Sequence, residues 1–104
     1  MSNKNTYQEL TLNDGQVIKL TLNFYNLLQV KNNQPKLYDR FMKVLQNKEF
    51  DIVFDSLTVL YVGYLCANLN SESVLTEEDF IAQVPFNLEK INIVAGALIQ
   101  SKKK

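Results

Sequence analysis

Between Tyr7 and Leu22 the apolar residues fall on alternate positions. Leu10, Leu12, Ile18, Leu20 and Leu22 are all even-numbered, and polar residues fill most of the places between them. A period of two is that of half-buried strands. Asn13-Asp14-Gly15 separates the two runs, and register decides its geometry. A two-residue loop at Asp14-Gly15 sets Leu10 opposite Lys19 and mixes the faces. A three-residue loop sets Leu10 opposite Ile18 and Glu9 opposite Lys19. The second keeps one face apolar and pairs opposite charges, so the spacing predicts a type I turn with Gly15 left-handed in a bulge. Two strands alone are marginal in water, so the leucine face needs a helical layer to lie on.

From Asn23 the period lengthens. Asn23 is placed to cap a helix with apolar positions Phe24, Leu27, Leu28 and Val30. Asn32-Asn33-Gln34-Pro35 interrupts it, and Pro35 suits the first turn of a second helix. There Leu37, Phe41, Val44 and Leu45 recur at helical spacing, with Lys36, Arg40 and Lys43 on the other side. This helix is expected to end between Gln46 and Glu49. A long helix follows over 51–70, then a polar loop from Ser71 to Leu75. Thr76 precedes Glu77, Glu78 and Asp79, acids favoured in a first turn, and Leu75 with Phe80 has the spacing of a hydrophobic staple. Pro85 closes that short helix. Asn87 then caps the last one, with Phe86 and Ile91 as a second staple and Leu88, Ile91, Ala95 and Leu98 facing the core.

The stretch DSLTVLYVGYLCANLN, from Asp55 to Asn70, carries no polar stripe. A membrane span needs about twenty predominantly apolar residues. Only Ser56 to Ser71 is free of charge, and Ser56, Thr58, Asn68 and Asn70 lie within it. A helix apolar all round is instead a buried helix. Gly63 weakens it by about 1 kcal/mol relative to alanine, which a close neighbour would explain. Cys66 reads as a small core thiol, with no histidine or local cationic cluster to activate it. Four short helices and a hairpin leave some of this girth uncovered, so Tyr61, Tyr64 and Leu65, with Phe80 and Ile81 near in order, are expected to line a partner-binding groove. The predicted fold is α+β, mainly α: an N-terminal β-hairpin (about 7–22) packed on about five helices around a central apolar helix (51–70). We expect one domain over 1–104, with 1–6 and 101–104 frayed.

Composition narrows the chemistry. The 104 residues include no histidine, no tryptophan and one cysteine, so neither an acyl-transfer triad nor the common zinc sites can be assembled. The single cysteine fits a reducing compartment, and the first residues lack the apolar run of a secretory signal. Gly15, Gly63 and Gly96 are scattered, which excludes a phosphate loop. Glu77-Glu78-Asp79 lacks the alternate-residue ligands of a calcium loop. The expectation is a cytoplasmic protein that is not an enzyme, with no cofactor, no metal and no membrane segment.

Formal charge is zero, but it is segregated. Residues 31–48 carry Lys31, Lys36, Arg40, Lys43 and Lys48 against Asp39 alone, whereas residues 49–89 carry eight acids and no base. Such a pattern supports pairing within the fold or attraction between copies, with Lys36, Arg40 and Lys43 as candidates for self-association. The same basic face, with Tyr38, offers an alternative function: a small regulatory module that binds nucleic acid. Overall neutrality and the downstream acids argue against it.

The order of these features resembles the tail assembly chaperones of long-tailed bacteriophages and prophages, especially those of Gram-positive hosts. The likeness covers roughly Leu10 to Asn87. It is carried by the N-F-x-x-L-L start at Asn23–Leu28, the YLCAN core at Tyr64–Asn68 and the T-E-E-D-F-I run from Thr76. The resemblance implies a role in virion assembly within the host bacterial cytoplasm. Such chaperones coat the long, helical tape-measure protein, help tail-tube subunits polymerise around it, and are absent from the mature virion. The family often also makes a longer product by ribosomal frameshifting. Lys102-Lys103-Lys104 fits an adenine-rich slippery run, and equally a frayed solubilising tail. Apolar stripes on a tape-measure helix call for helix-in-groove binding.

Overall fold

A computed structural model describes residues 7–46, 53–71 and 73–100. The expected fraying of 1–6 and 101–104, and the start of the central helix at 51, lie outside the described residues. The hairpin forms as β1 (Gln8–Thr11) and β2 (Val17–Leu20), antiparallel, with Leu10 opposite Ile18 and Glu9 opposite Lys19. Its loop has three residues, closed by Gly15 N–H donating to the Leu12 carbonyl at 2.9 Å. Gly15 has φ of +91°, the left-handed conformation the register requires. Leu10, Leu12, Ile18, Leu20 and Leu22 are all buried.

Five helices follow among the described residues: α1 (Phe24–Asn33), α2 (Pro35–Gln46), α3 (Phe54–Ala67), α4 (Glu77–Gln83) and α5 (Leu88–Gln100). The chain is therefore α+β and mainly α. Three starts are capped by the expected side chains. Asn23 Oδ1 accepts from Asn26 N–H at 2.8 Å, Thr76 Oγ1 from Asp79 at 3.2 Å, and Asn87 Oδ1 from Lys90 at 3.1 Å. The end of α3 is closed by amides: Asn68 Nδ2 donates to the Tyr64 carbonyl at 2.7 Å and Asn26 Nδ2 to the Cys66 carbonyl at 2.8 Å. Residues 68–70, expected inside this helix, form a turn instead.

Helix α3 is the axis of the fold. Every residue from Ser56 to Cys66 is buried, and the hairpin and the other four helices all touch it. Its polar side chains are satisfied from within: Ser56 Oγ donates to Asn92 Oδ1 at 2.8 Å and Thr58 Oγ1 to the Phe54 carbonyl at 3.1 Å. Contacts of Ser56 with Asn92 and of Gly63 with Leu98 show α5 running beside α3 in the same direction. Gly63 meets the close neighbour its sequence position called for. The Thr21 N–H donates to its carbonyl at 3.1 Å, and a Cβ there would lie 3.0 Å from Leu98 Cδ1 and 3.4 Å from Leu20 Cβ. The absent side chain lets β2 and α5 close on the axis.

Some of the apolar residues do not reach the core. Phe86 is 89% exposed, so it makes no staple with the buried Ile91. Pro85 and a backbone bond from Asn87 N–H to its carbonyl turn the chain tightly just before α5, where Asn87 alone caps the helix. Phe24 and Leu45 also stand outside the core, on a face described below. Among the described residues no helix is long and apolar enough to cross a membrane.

Candidate interaction groove

The residues expected to line a partner groove are mostly interior. Tyr61, Tyr64, Leu65 and Phe80 are buried, and Ile81 is half-buried against the core. The reason is the loop before α4. Tyr61 Oη donates to the Leu75 carbonyl at 2.8 Å, while Tyr64 Oη accepts from the Leu75 N–H at 2.9 Å. Two hydroxyls thus hold both backbone polar groups of one residue, which brings α4 down over α3. Phe80 then packs on both rings, with centroids 5.3 Å from Tyr61 and 5.1 Å from Tyr64. The tyrosines are polar-tipped core residues rather than a docking surface. Burial, followed by the nearby Glu77 charge, raises the Tyr61 pKa.

Lys36 and Lys43 are exposed on α2, while Arg40 is engaged within the fold. Its guanidinium makes a two-pronged bond with Glu77, at 2.6 and 3.1 Å. That bond raises the Arg40 pKa more than partial burial lowers it. One point of the basic segment therefore meets the acidic segment inside a single chain. With the arginine side chain 52% exposed, the pair stabilises by no more than about 1 kcal/mol. It withdraws Arg40 from the cations available to a phosphate backbone or a second copy.

The open apolar surface lies elsewhere. Helix α1 presents Phe24, Leu27, Leu28 and Lys31, and α2 presents Tyr38, Phe41, Met42 and Leu45. Both stripes have the spacing i, i+3, i+4, i+7, the offsets of one helical face. Between them runs a groove of about 350 Å³, whose lining also includes the buried Leu22 and Phe41 and the half-buried Ile99 of α5. Phe24 is 86% exposed, Leu28 49% and Leu45 44%, values far from those of a packed interior. Among the described lining residues only Lys31 is charged, its ammonium 5.7 Å from the centroid of the Tyr38 ring.

The spacing grouped Phe24, Leu28 and Leu45 with the other apolar positions of α1 and α2 and gave no sign of the groove between them. The width of the α2 stripe carries one. Its apolar residues, from Val44 round to Met42, cover an arc of about 160° at 100° per residue, wider than the ~100° stripe that one core contact uses. Leu37, Phe41 and Val44 serve the core, and the remainder serves the groove.

A second depression, of about 530 Å³, lies between α1 and the turn after α3. Amides dominate its lining, and that of Asn26 is already committed to the Cys66 carbonyl. Among the described residues no group of three histidine, cysteine, aspartate or glutamate side chains is placed to hold a metal ion. The chain matches no model of a known protein family, no curated protein and no solved structure.

Proposed function

We propose that this protein is a non-enzymatic assembly chaperone that covers an exposed apolar face of a long helical client, the tape-measure protein of a phage tail. The observation that supports this reading is the open α1–α2 groove, with Phe24, Leu28 and Leu45 exposed along it. A folded chain leaves such side chains in water at a cost of about 25 cal/mol per Å², and an apolar trough between parallel stripes is a surface that another helix covers. The order of elements and the N-F-x-x-L-L, YLCAN and T-E-E-D-F-I runs give the client its identity by resemblance to tail assembly chaperones. In this reading the protein works in the host bacterial cytoplasm, many copies coat one client, and they promote tail-tube assembly around it and leave before the tail is complete.

Coexpression tests the proposal. The chain is produced together with the long coiled-coil-rich protein encoded just downstream, and soluble copurification and complex mass are measured. A soluble complex with many copies per client is expected, and Leu28→Glu with Leu45→Glu should abolish it. A client that precipitates while this chain remains soluble and alone would overturn the reading.

A further inference from the structure

We infer that in the free protein a second copy of this chain covers the α1–α2 groove, the two α1 helices lying antiparallel across a two-fold axis. The inference goes beyond the chaperone reading and does not depend on it. A client helix and a second copy would use one surface, so each excludes the other.

Area argues for a second copy. Beside the exposed Phe24, Leu28 and Leu45, Tyr25 stands 68% exposed on α1, and Leu27, Tyr38, Met42 and Ile99 are half-buried. A large aromatic side chain offers about 200 Å² when fully exposed, so this side of the molecule leaves about 600 Å² of largely apolar surface in water. That is the upper end of what a monomer exposes in one patch. Pairing two such patches removes about 1,200 Å² from water, the lower bound of specific, stable interfaces.

Shape argues for the two-fold axis. The α1 stripe of Phe24, Leu27, Leu28 and Lys31 has offsets that read the same from either end. A reversed copy therefore matches it position for position: Leu27 meets Leu28 of the second copy, and Phe24 meets Lys31. Phe24 protrudes at the start of α1, beside the trough of about 350 Å³. The ring and the hollow that receives it belong to one patch, as an isologous contact requires.

Charge permits a like partner. An isologous contact brings each charged group near its own kind, so a strongly charged patch resists it. Among the described lining residues only Lys31 is charged. In the antiparallel pairing the two Lys31 positions lie seven residues apart along the axes, or about 10 Å. That distance is a Debye length at moderate salt, and each ammonium comes beside the Phe24 ring of the other copy, which attracts it. Lys36 and Lys43, expected from the sequence to serve self-association, lie about 160° round α2 from the centre of its groove stripe, and so outside this contact.

Sedimentation of the full chain tests the pairing. An interface of this size corresponds to a dissociation constant on the order of 10 µM, so one copy is expected at about 1 µM and two at about 300 µM. High salt should leave the pair intact, because apolar burial holds it. Phe24→Ala should weaken it at least about tenfold, since the loss is felt twice across the axis. Leu28→Glu, shown to be folded by circular dichroism, should remain a single copy throughout. Lys36→Glu with Lys43→Glu should pair as the parent does.

A chain that stays single at about 300 µM would overturn the inference and leave the chaperone reading standing. A pair that survives both Phe24→Ala and Leu28→Glu would put the contact elsewhere and overturn it equally. So would a pair that high salt or the double lysine variant dissolves, or an assembly larger than two copies. If the chain pairs through Phe24 and Leu28 while coexpression fails to solubilise the client, the chaperone reading falls and the pairing does not.

Discussion

Tyr61, Tyr64 and Phe80 pack ring against ring beneath α4, whereas Phe24, Leu28 and Leu45, residues of much the same kind, line a groove open to water. The two tyrosines belong to the most apolar part of the chain, and the loop before α4, with Phe80 of α4 itself, closes over them. The groove residues belong to amphipathic helices that look complete with one face buried. Apolarity along a segment reports how many of its sides are covered in the fold. It does not report which neighbour covers them. The Tyr61 and Tyr64 hydroxyls draw the Leu75 backbone onto α3, and among the described residues no segment closes over the groove between α1 and α2.

Substitutions in the two regions should separate stability from binding. The largest contrast is expected for phenylalanine. Phe80→Ala removes a fully buried ring that two others contact and should cost about 3–5 kcal/mol. Phe24→Ala removes a ring that is 86% exposed and should shift stability by no more than about 0.5 kcal/mol, while weakening client binding. Urea unfolding of both variants measures the difference. Equal losses would mean that the groove is packed in solution.

Gly63→Val comes next. It should cost about 1–3 kcal/mol, because its Cβ falls 3.0 Å from the buried Leu98 side chain and the extra methyls have nowhere to go. A variant as stable as the parent would show that α5 can move off the axis.

Tyr61→Phe keeps the ring and removes the hydroxyl, leaving the Leu75 carbonyl without its donor. A loss of about 1–2 kcal/mol is expected, with faster amide exchange in the 73–76 loop. Tyr61→Phe should also change how stability depends on pH. The Tyr61 pKa is raised in the folded chain, so the neutral phenol is favoured there. The stability this contributes is fully present below the unfolded-state pKa of about 10 and is lost as pH rises through the higher folded value. The parent should lose stability above about pH 10 more steeply than Tyr61→Phe, as thermal melts across that range would record.

The smallest effect is expected for Glu77→Gln, at no more than about 1 kcal/mol, because the Arg40 partner is largely exposed. High salt should shrink even that difference.

Local rules carried much of the fold. The hairpin register followed from parity: slipping one strand by one residue would have turned that strand's buried apolar side chains to solvent. Asn23, Thr76 and Asn87 cap where their sequence positions said, since a cap depends only on the next three residues. Burial of α3 followed from its lack of a polar stripe. The Phe86 staple failed because the Pro85 turn sets the entry to α5 and leaves that ring pointing to solvent.

The candidate site was the part least legible. Placing Tyr61, Tyr64, Leu65 and Phe80 on a surface required knowing whether α4 reaches α3, a contact between residues up to 19 positions apart. Placing Leu45 outside the core required knowing that a groove stays open between α1 and α2. The sequence by itself determined what is local: strand parity, helix ends, the identity of the central helix, and the segregation of charge. Only the tertiary structure decided which apolar faces meet a neighbour and which are left open. Coverage depends on where separate elements pack in three dimensions, and no window of neighbouring residues contains that information.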